Sequence, residues 1–184
     1  MEYKNDFTNT AKYINYREVS ANVFDFVPDG HTIHAHCISG DFALGKGIAM
    51  QFRDFGVKDA LENMYKSTKK SVMENGIPRG FCLYTGTPFP GSKHELVTAN
   101  LITKTRCYNK PTLKTLEDAL ADMIYKSWQY ALPPTKFVMP KIGCGLDQLN
   151  WADVRPLIQN TFKKMEWCMN DTERQYEVIV CVLR

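Results

Sequence analysis

Two stretches of this chain, KFVMPKI (136–142) and EVIVCVL (177–183), are apolar at almost every position. A strand with one wet face alternates polar and apolar residues, so an unbroken apolar run implies a strand covered on both sides. Between and before these runs lie segments with helical spacing. The clearest opens at Thr112 and carries Leu113, Leu116, Leu120, Met123, Ile124 and Ala131 toward a stop at Pro133-Pro134. Strands buried on both faces and alternating with amphipathic helices restrict the chain to a layered α/β fold. With 184 residues it is one domain, large enough to bury a full core without metal or disulfide support.

The remaining elements follow from the same patterns. Tyr16 to Phe26 reads as a strand running into a loop, closed by Pro28-Asp29-Gly30. Residues 32–38 suit a short buried strand. Ile48, Phe52 and Phe55, then Val57, Leu61 and Met64, mark two helical stretches. Residues 81–85 and 96–103 read as strands joined by the longer loop PFPGSKHE, which is placed where it shapes access to a site. Residues 137–142 form a strand and 151–166 a helix, with Pro156 expected to bend that helix or delay its start.

Composition excludes several classes. Charged residues make up 23% and the net charge is +3, which tolerates an anionic ligand but makes no case for a nucleic-acid protein. No apolar run approaches the length needed to cross a bilayer, and the N-terminal residues show no signal-peptide core. An intracellular, cytoplasmic protein is expected, with a nuclear location as the alternative in a eukaryote, with no membrane contact and with a monomer as the default. The six cysteines form no C-x-x-C pair and sit mostly in apolar surroundings, so they read as reduced thiols. Cysteine and histidine lack ligand spacing, so no metal is expected. His34 and His36 alternate on one strand face in a structural role, and Trp128, Trp151 and Trp167 read as packing residues.

In α/β sheets ligands bind beyond the C-terminal ends of the strands. That rule selects SGDFALGKG (39–47) and GCGLDQLN (143–150). Gly45 and Gly47 precede one helix, Gly143 and Gly145 leave a strand end, and Asn150 with Asp153 makes a capping-box-like start to the next helix. Two such loops facing each other suit the two negative groups of a diphosphate, with helix N-termini assisting. By itself the first loop is better read as a plain helix-entry turn, and the second is compatible with a plain strand-to-helix turn in which Asp147 is a turn or cap residue and Cys144 a spacer.

AHCIS (35–39), GKGIA (45–49), LITK (101–104) followed by KPT (110–112), and MPKIGCGLDQLNW (139–151) occur in an order and spacing that resembles the macrodomain family. The similarity is to its terminal ADP-ribose protein glycohydrolase branch and covers the chain from about Tyr16 to Leu183. The resemblance implies a three-layer α/β/α macrodomain with a mixed sheet over residues 16–184, preceded by a flexible segment 1–15. It implies that ADP-ribose lies across the strand ends, with no cofactor and no metal. Asn22 and Val23 are then expected by the adenine, with Leu183 lining that end. Ser39 is expected near the distal ribose. Gly45, Gly47, Ile48 and Ala49, with Lys141, Ile142, Gly143, Cys144, Gly145 and Leu146, are expected around the pyrophosphate and distal ribose.

By the same resemblance Lys104 is the nucleophile and Asp147 the acid/base. The implied reaction removes ADP-ribose from acidic residues of modified proteins through a lysyl-ribose intermediate. A lysine attacks only when neutral, which burial or a nearby cation such as Arg106 would favour. The family's related activities are deacetylation of O-acetyl-ADP-ribose, dephosphorylation of ADP-ribose 1″-phosphate, and release of ADP-ribose from nucleic acid. A non-catalytic ADP-ribose reader is the reading from another class. One position departs from the pattern: many macrodomains carry an aspartate that accepts a hydrogen bond from the adenine amino group, and Asn22 stands there.

Overall fold

The computed structural model describes residues 14–169 and 175–182. Six strands run in the order β1 (Ile14–Val19), β2 (Thr32–Ser39), β3 (Phe81–Thr87), β4 (Leu96–Lys104), β5 (Thr135–Pro140) and β6 (Tyr176–Cys181). They form one mixed sheet in the spatial order β1-β6-β5-β2-β4-β3, in which only the edge strand β3 runs antiparallel to its neighbour. Helices α1 (Ile48–Asp54), α2 (Val57–Met64) and α3 (Lys69–Asn75) fall in the first half of the chain. Helices α4 (Leu113–Lys126) and α5 (Trp151–Met169) fall in the second.

The long apolar runs have the cause inferred from their composition. Along β5, Phe137 and Met139 join the core shared with α4 and α5, while Val138 between them joins the core beneath α1 and α2. In β6, Val178 and Val180 point one way and Ile179 and Cys181 the other. The domain is therefore a three-layer α/β/α sandwich with two cores and no wet face on its central strands. Burying one such side chain is worth about 1.5–3 kcal/mol, so a polar residue in the middle of these runs needs a partner.

His34 and His36 are such residues, both on the face of β2 covered by the first-half elements. The His34 Nε2–H donates to the carbonyls of Val23 and Phe26, at 3.1 and 2.9 Å. His36 donates to Asn100 Oδ1 at 2.7 Å and stacks on Phe52 with ring centroids 3.9 Å apart. Asn100 in turn donates to Leu83 O and Thr85 Oγ1 on β3.

Several element boundaries differ from the sequence expectation. β1 begins at Ile14, two residues before Tyr16, and ends at Val19. Asn22 then caps a short 3-10 turn, Val23–Asp25, instead of extending a strand. α3 was not anticipated, because only Val72 among its residues is buried. α4 stops at Lys126 rather than at the Pro133-Pro134 pair. The buried Ser127 turns its hydroxyl onto Ile124 O at 2.7 Å and a 3-10 turn follows. Leu113, expected in the apolar stripe, is 37% exposed.

Pro156 does not delay α5, which starts at Trp151. The hydrogen bond it cannot make is to the carbonyl of Ala152, in the exposed first turn, where water can replace it. Trp128 is 57% exposed and does not pack in the core. The side chains of Trp167 and Cys168 lie outside the described residues, as do most of segment 1–15 and Leu183.

The PFPGSKHE loop, expected to shape access to the site, lies at the other end of the sheet. Because β3 is antiparallel, its connection to β4 falls where the parallel strands begin, and Ser92 Oγ donates to Pro28 O at 2.9 Å, just ahead of β2.

Burial lowers the pKa of both His34 and His36 to about 4, from an ordinary 6.5. Between those values the unfolded chain binds protons that the folded one does not, so stability rises with pH across that window. The contribution is complete above pH 6.5 and is lost as pH falls toward 4. Thermal melts between pH 7 and 4 are expected to show a progressively falling midpoint. NMR titration is expected to show two imidazoles still neutral at pH 5.

Candidate active site

Parallel packing of β2, β4, β5 and β6 brings their C-terminal ends to one edge, and the loops leaving them enclose a cleft of about 980 Å³. That is the size of a small-molecule site. Its walls are Ser39 and residues 43–49 after β2, Lys104 and residues 107–110 after β4, and residues 140–148 after β5, with Cys181 and Val182 closing one end.

The first loop reaches α1 through Gly47, whose φ of +59° and ψ of −146° suit glycine alone. A Cβ there would stand 3.6 Å from Leu146 Cδ1, so the two glycine loops face one another across the cleft. No side chain caps α1. In the opposite loop Gly143 has φ +71°, and a Cβ would come within 2.8 Å of Leu149 Cδ1. Leu149 N–H donates to Gly143 O at 2.8 Å and Gln148 N–H to Gly145 O at 3.1 Å, making a tight double turn. Gly45 and Gly145 have no such backbone constraint; a Cβ at Gly145 meets nothing within 4 Å, and their bareness leaves open space beside the cleft. Asn150 caps α5 through Oδ1, which accepts from Ala152 N–H at 3.0 Å.

That double turn carries Asp147 across the cleft toward Lys104, which ends β4. Lys104 Nζ donates to Asp147 Oδ1 at 2.6 Å, and both side chains are only 14% exposed. Lys104 and Ser39 are register partners across β2 and β4, beyond a β-irregularity at Ile38/Ser39. An amine and a carboxylate thus sit within proton-transfer distance on the cleft wall, beside a hydroxyl.

Arg106, expected to lend positive charge to Lys104, points elsewhere. A turn closed by Asn109 takes it outward, and its guanidinium donates to Met73 O at 3.2 Å. Cys37 and Cys144 both line the cleft, but burial pushes each thiol up and keeps it protonated; around Cys144, the Lys141 charge only partly offsets this. Lys141 itself lies over the Trp151 ring, 5.7 Å from its centroid, and Arg155 lies at the same distance. Among the described residues, no three His, Cys, Asp or Glu side chains assemble as a metal site.

Of the residues singled out in the sequence, Ser39, Gly45, Gly47, Ile48, Ala49, Lys104 and Lys141 through Asp147 share this cleft. Asn22 and Val23 do not line it. Val23 is buried in the core, and the Asn22 carboxamide oxygen accepts from Phe24 N–H at 3.0 Å. Leu183 lies outside the described residues, and its neighbours Cys181 and Val182 supply the wall at that end.

The structure adds residues that sequence reasoning passed over. Lys110 Nζ donates to Leu146 O at 3.0 Å and clasps two loops together. Asp41 is buried beside the cleft, taking the Ser39 hydroxyl on one oxygen and Cys107 N–H on the other. The sign available in the sequence was an acidic residue inside an otherwise apolar DFAL.

No family model matches the chain. Among curated proteins it is 35% identical over 131 residues to the ADP-ribose glycohydrolase OARD1 of Homo sapiens, covering 70% of this chain and 73% of that protein. It is equally similar to its Bos taurus counterpart, over 130 residues. Among solved structures, the macrodomain of Mycobacterium tuberculosis DarG superimposes with a TM-score of 0.62 at 19% identity, covering 90% of this chain and 96% of that one. Thermosipho africanus DarTG, solved in complex with ADP-ribose, gives a TM-score of 0.61 at 18% identity, over 90% of this chain and 41% of that one. A 35% identity spread over most of both chains, on top of a shared three-layer fold, places this chain in the macrodomain family, in its terminal ADP-ribose glycohydrolase branch.

Proposed function

We propose that this protein is a mono-ADP-ribosyl hydrolase that binds ADP-ribose in the cleft and removes it from Glu- and Asp-linked sites of modified proteins. The observation that carries the reading is the 2.6 Å contact between Lys104 and Asp147 beneath the two facing glycine loops. A pure ADP-ribose reader has no need of that pair. The names of the two OARD1 relatives and the ADP-ribose bound to the DarTG neighbour agree with it.

The chemistry can be written on these residues. Asp147 takes a proton from Lys104, leaving a neutral amine. The Nζ lone pair forms a bond to the distal ribose C1″ while the C1″–O ester bond breaks, and its electron pair leaves with the acidic side chain as a carboxylate. Water then releases the sugar from Lys104, with Asp147 handling the protons, and free ADP-ribose results. The glycine loops leave room for backbone N–H groups to approach the diphosphate, which no side chain at Gly45 or Gly145 obstructs.

Incubation with a glutamate-linked mono-ADP-ribosylated protein is expected to release ADP-ribose, and Lys104→Ala is expected to slow that release about 100-fold or more. Intact-protein mass spectrometry of wild type quenched during turnover is expected to show an ADP-ribosyl adduct that is absent from Lys104→Ala. Equal rates for wild type and Lys104→Ala would refute the mechanism, and tight ADP-ribose binding without turnover would leave a reader. Gly47→Val, which forces a branched side chain into φ +59° beside Leu146, is expected to weaken ADP-ribose binding in calorimetry by about tenfold or more.

A further inference from the structure

Asp41 is a buried carboxylate at the junction of two site loops. Its Oδ1 accepts the Ser39 hydroxyl proton at 2.5 Å and its Oδ2 accepts Cys107 N–H at 3.0 Å. Burial pushes its pKa up, but the hydrogen bonds from Ser39, from the N–H groups of Cys107 and Ala43, and from the Cys107 thiol outweigh that and hold it below the ordinary carboxylate range. The group is therefore ionised at neutral pH, and an ionised carboxylate only accepts hydrogen bonds. A hydroxyl has one proton and two lone pairs. At Ser39 the proton is committed to Asp41 in a short, charge-assisted bond, so only lone pairs face the cleft. Ser39 is itself buried, lines the cleft and is the register partner of Lys104.

We propose that Asp41 is a positioning residue that fixes the Ser39 hydroxyl as a hydrogen-bond acceptor, so that the cleft beside Lys104 selects a ligand offering a hydroxyl donor there. Resting on the ADP-ribose reading above, this assigns Ser39 to a free hydroxyl of the distal ribose. A serine without such a neighbour rotates freely and serves donors and acceptors alike. This one discriminates against a ligand that offers only an acceptor at that point, such as a ribose methylated on that oxygen.

Asp41→Asn separates orientation from scaffolding. The asparagine oxygen can still accept Cys107 N–H, while its NH₂ donates to Ser39 Oγ and forces the hydroxyl proton to turn away. The full chain as wild type, Ser39→Ala, Asp41→Asn and the double variant would be compared for ADP-ribose affinity by calorimetry and for kcat and KM on glutamate-linked substrate. Each single variant is expected to lose about tenfold in kcat/KM, with the double losing no more than the worse single, because Asp41 acts through Ser39. Losses that multiply to about a hundredfold would show Asp41 acting independently and overturn the proposal.

A second measurement does not depend on Asp41→Asn folding. Wild type is expected to bind ADP-ribose about tenfold more tightly than its 2″- or its 3″-O-methyl derivative, and Ser39→Ala to lose that preference. The same preference in both proteins, or none in wild type, overturns the proposal while leaving the hydrolase reading in place. Failure of wild type to bind ADP-ribose at all overturns the functional reading itself, and this assignment with it.

Discussion

Burial of β2, β5 and β6 on both faces is the constraint from which the rest of this structure follows. A strand with no wet face can present chemistry only at its ends. Parallel alignment puts the C-terminal ends of β2, β4, β5 and β6 on one edge, so segments as far apart in the chain as residues 43–49, 140–148 and 181–182 meet there. Lys104 and Asp147 are brought together in this way: one ends a strand, the other rides the turn after the strand two places across the sheet. Neither residue has a local reason to be where it is. The sheet supplies the reason, and the glycine turn at Gly143 supplies the last few ångströms.

The charges at that edge fall into two kinds. Lys104 and Asp147 pair across the cleft and remain partly exposed. Asp41 is solvated by N–H groups and a hydroxyl from the loops on either side of it, and it is buried. Loss of such a carboxylate's partners carries the full desolvation penalty, which makes it a fixed point. The site thus combines a partly exposed ion pair with a buried anion on the loop after the neighbouring strand. The anion's firmness allows the hydroxyl next to the amine to have a defined polarity.

Legibility in the sequence tracks how local each cause is. KFVMPKI and EVIVCVL were readable because two-sided burial writes itself into consecutive residues. Thr112 was readable as a helix start because its side chain makes the cap, accepting from Thr115 N–H. The site loops were readable from glycines, although only Gly47 and Gly143 turn out to need positive φ. What could not be read depended on partners distant in sequence. The orientation of the edge strand β3 put PFPGSKHE at the wrong end. Ser127 ended α4 early through a hydrogen bond that no periodicity encodes. The outward turn of Arg106 toward Met73, and the burial of Asp41 between Ser39 and Cys107, come from contacts over 33 and 66 residues.

Asn22 shows how a departure from a family pattern can be absorbed within a turn. An aspartate there brings a charge; the asparagine instead spends its oxygen on Phe24 N–H and receives its counterpart from Asp25, whose carboxylate accepts Asn22 N–H at 2.8 Å. The acidic charge of this segment lies at Asp25, three residues beyond Asn22. Burial is the larger cause holding the Cys181 thiol up at about 11, and the Asp25 charge adds to it, so that charge is felt at the residue forming the far wall of the cleft. The turn has its capping box from Asn22 and Asp25, and it lies apart from the cleft that holds Lys104.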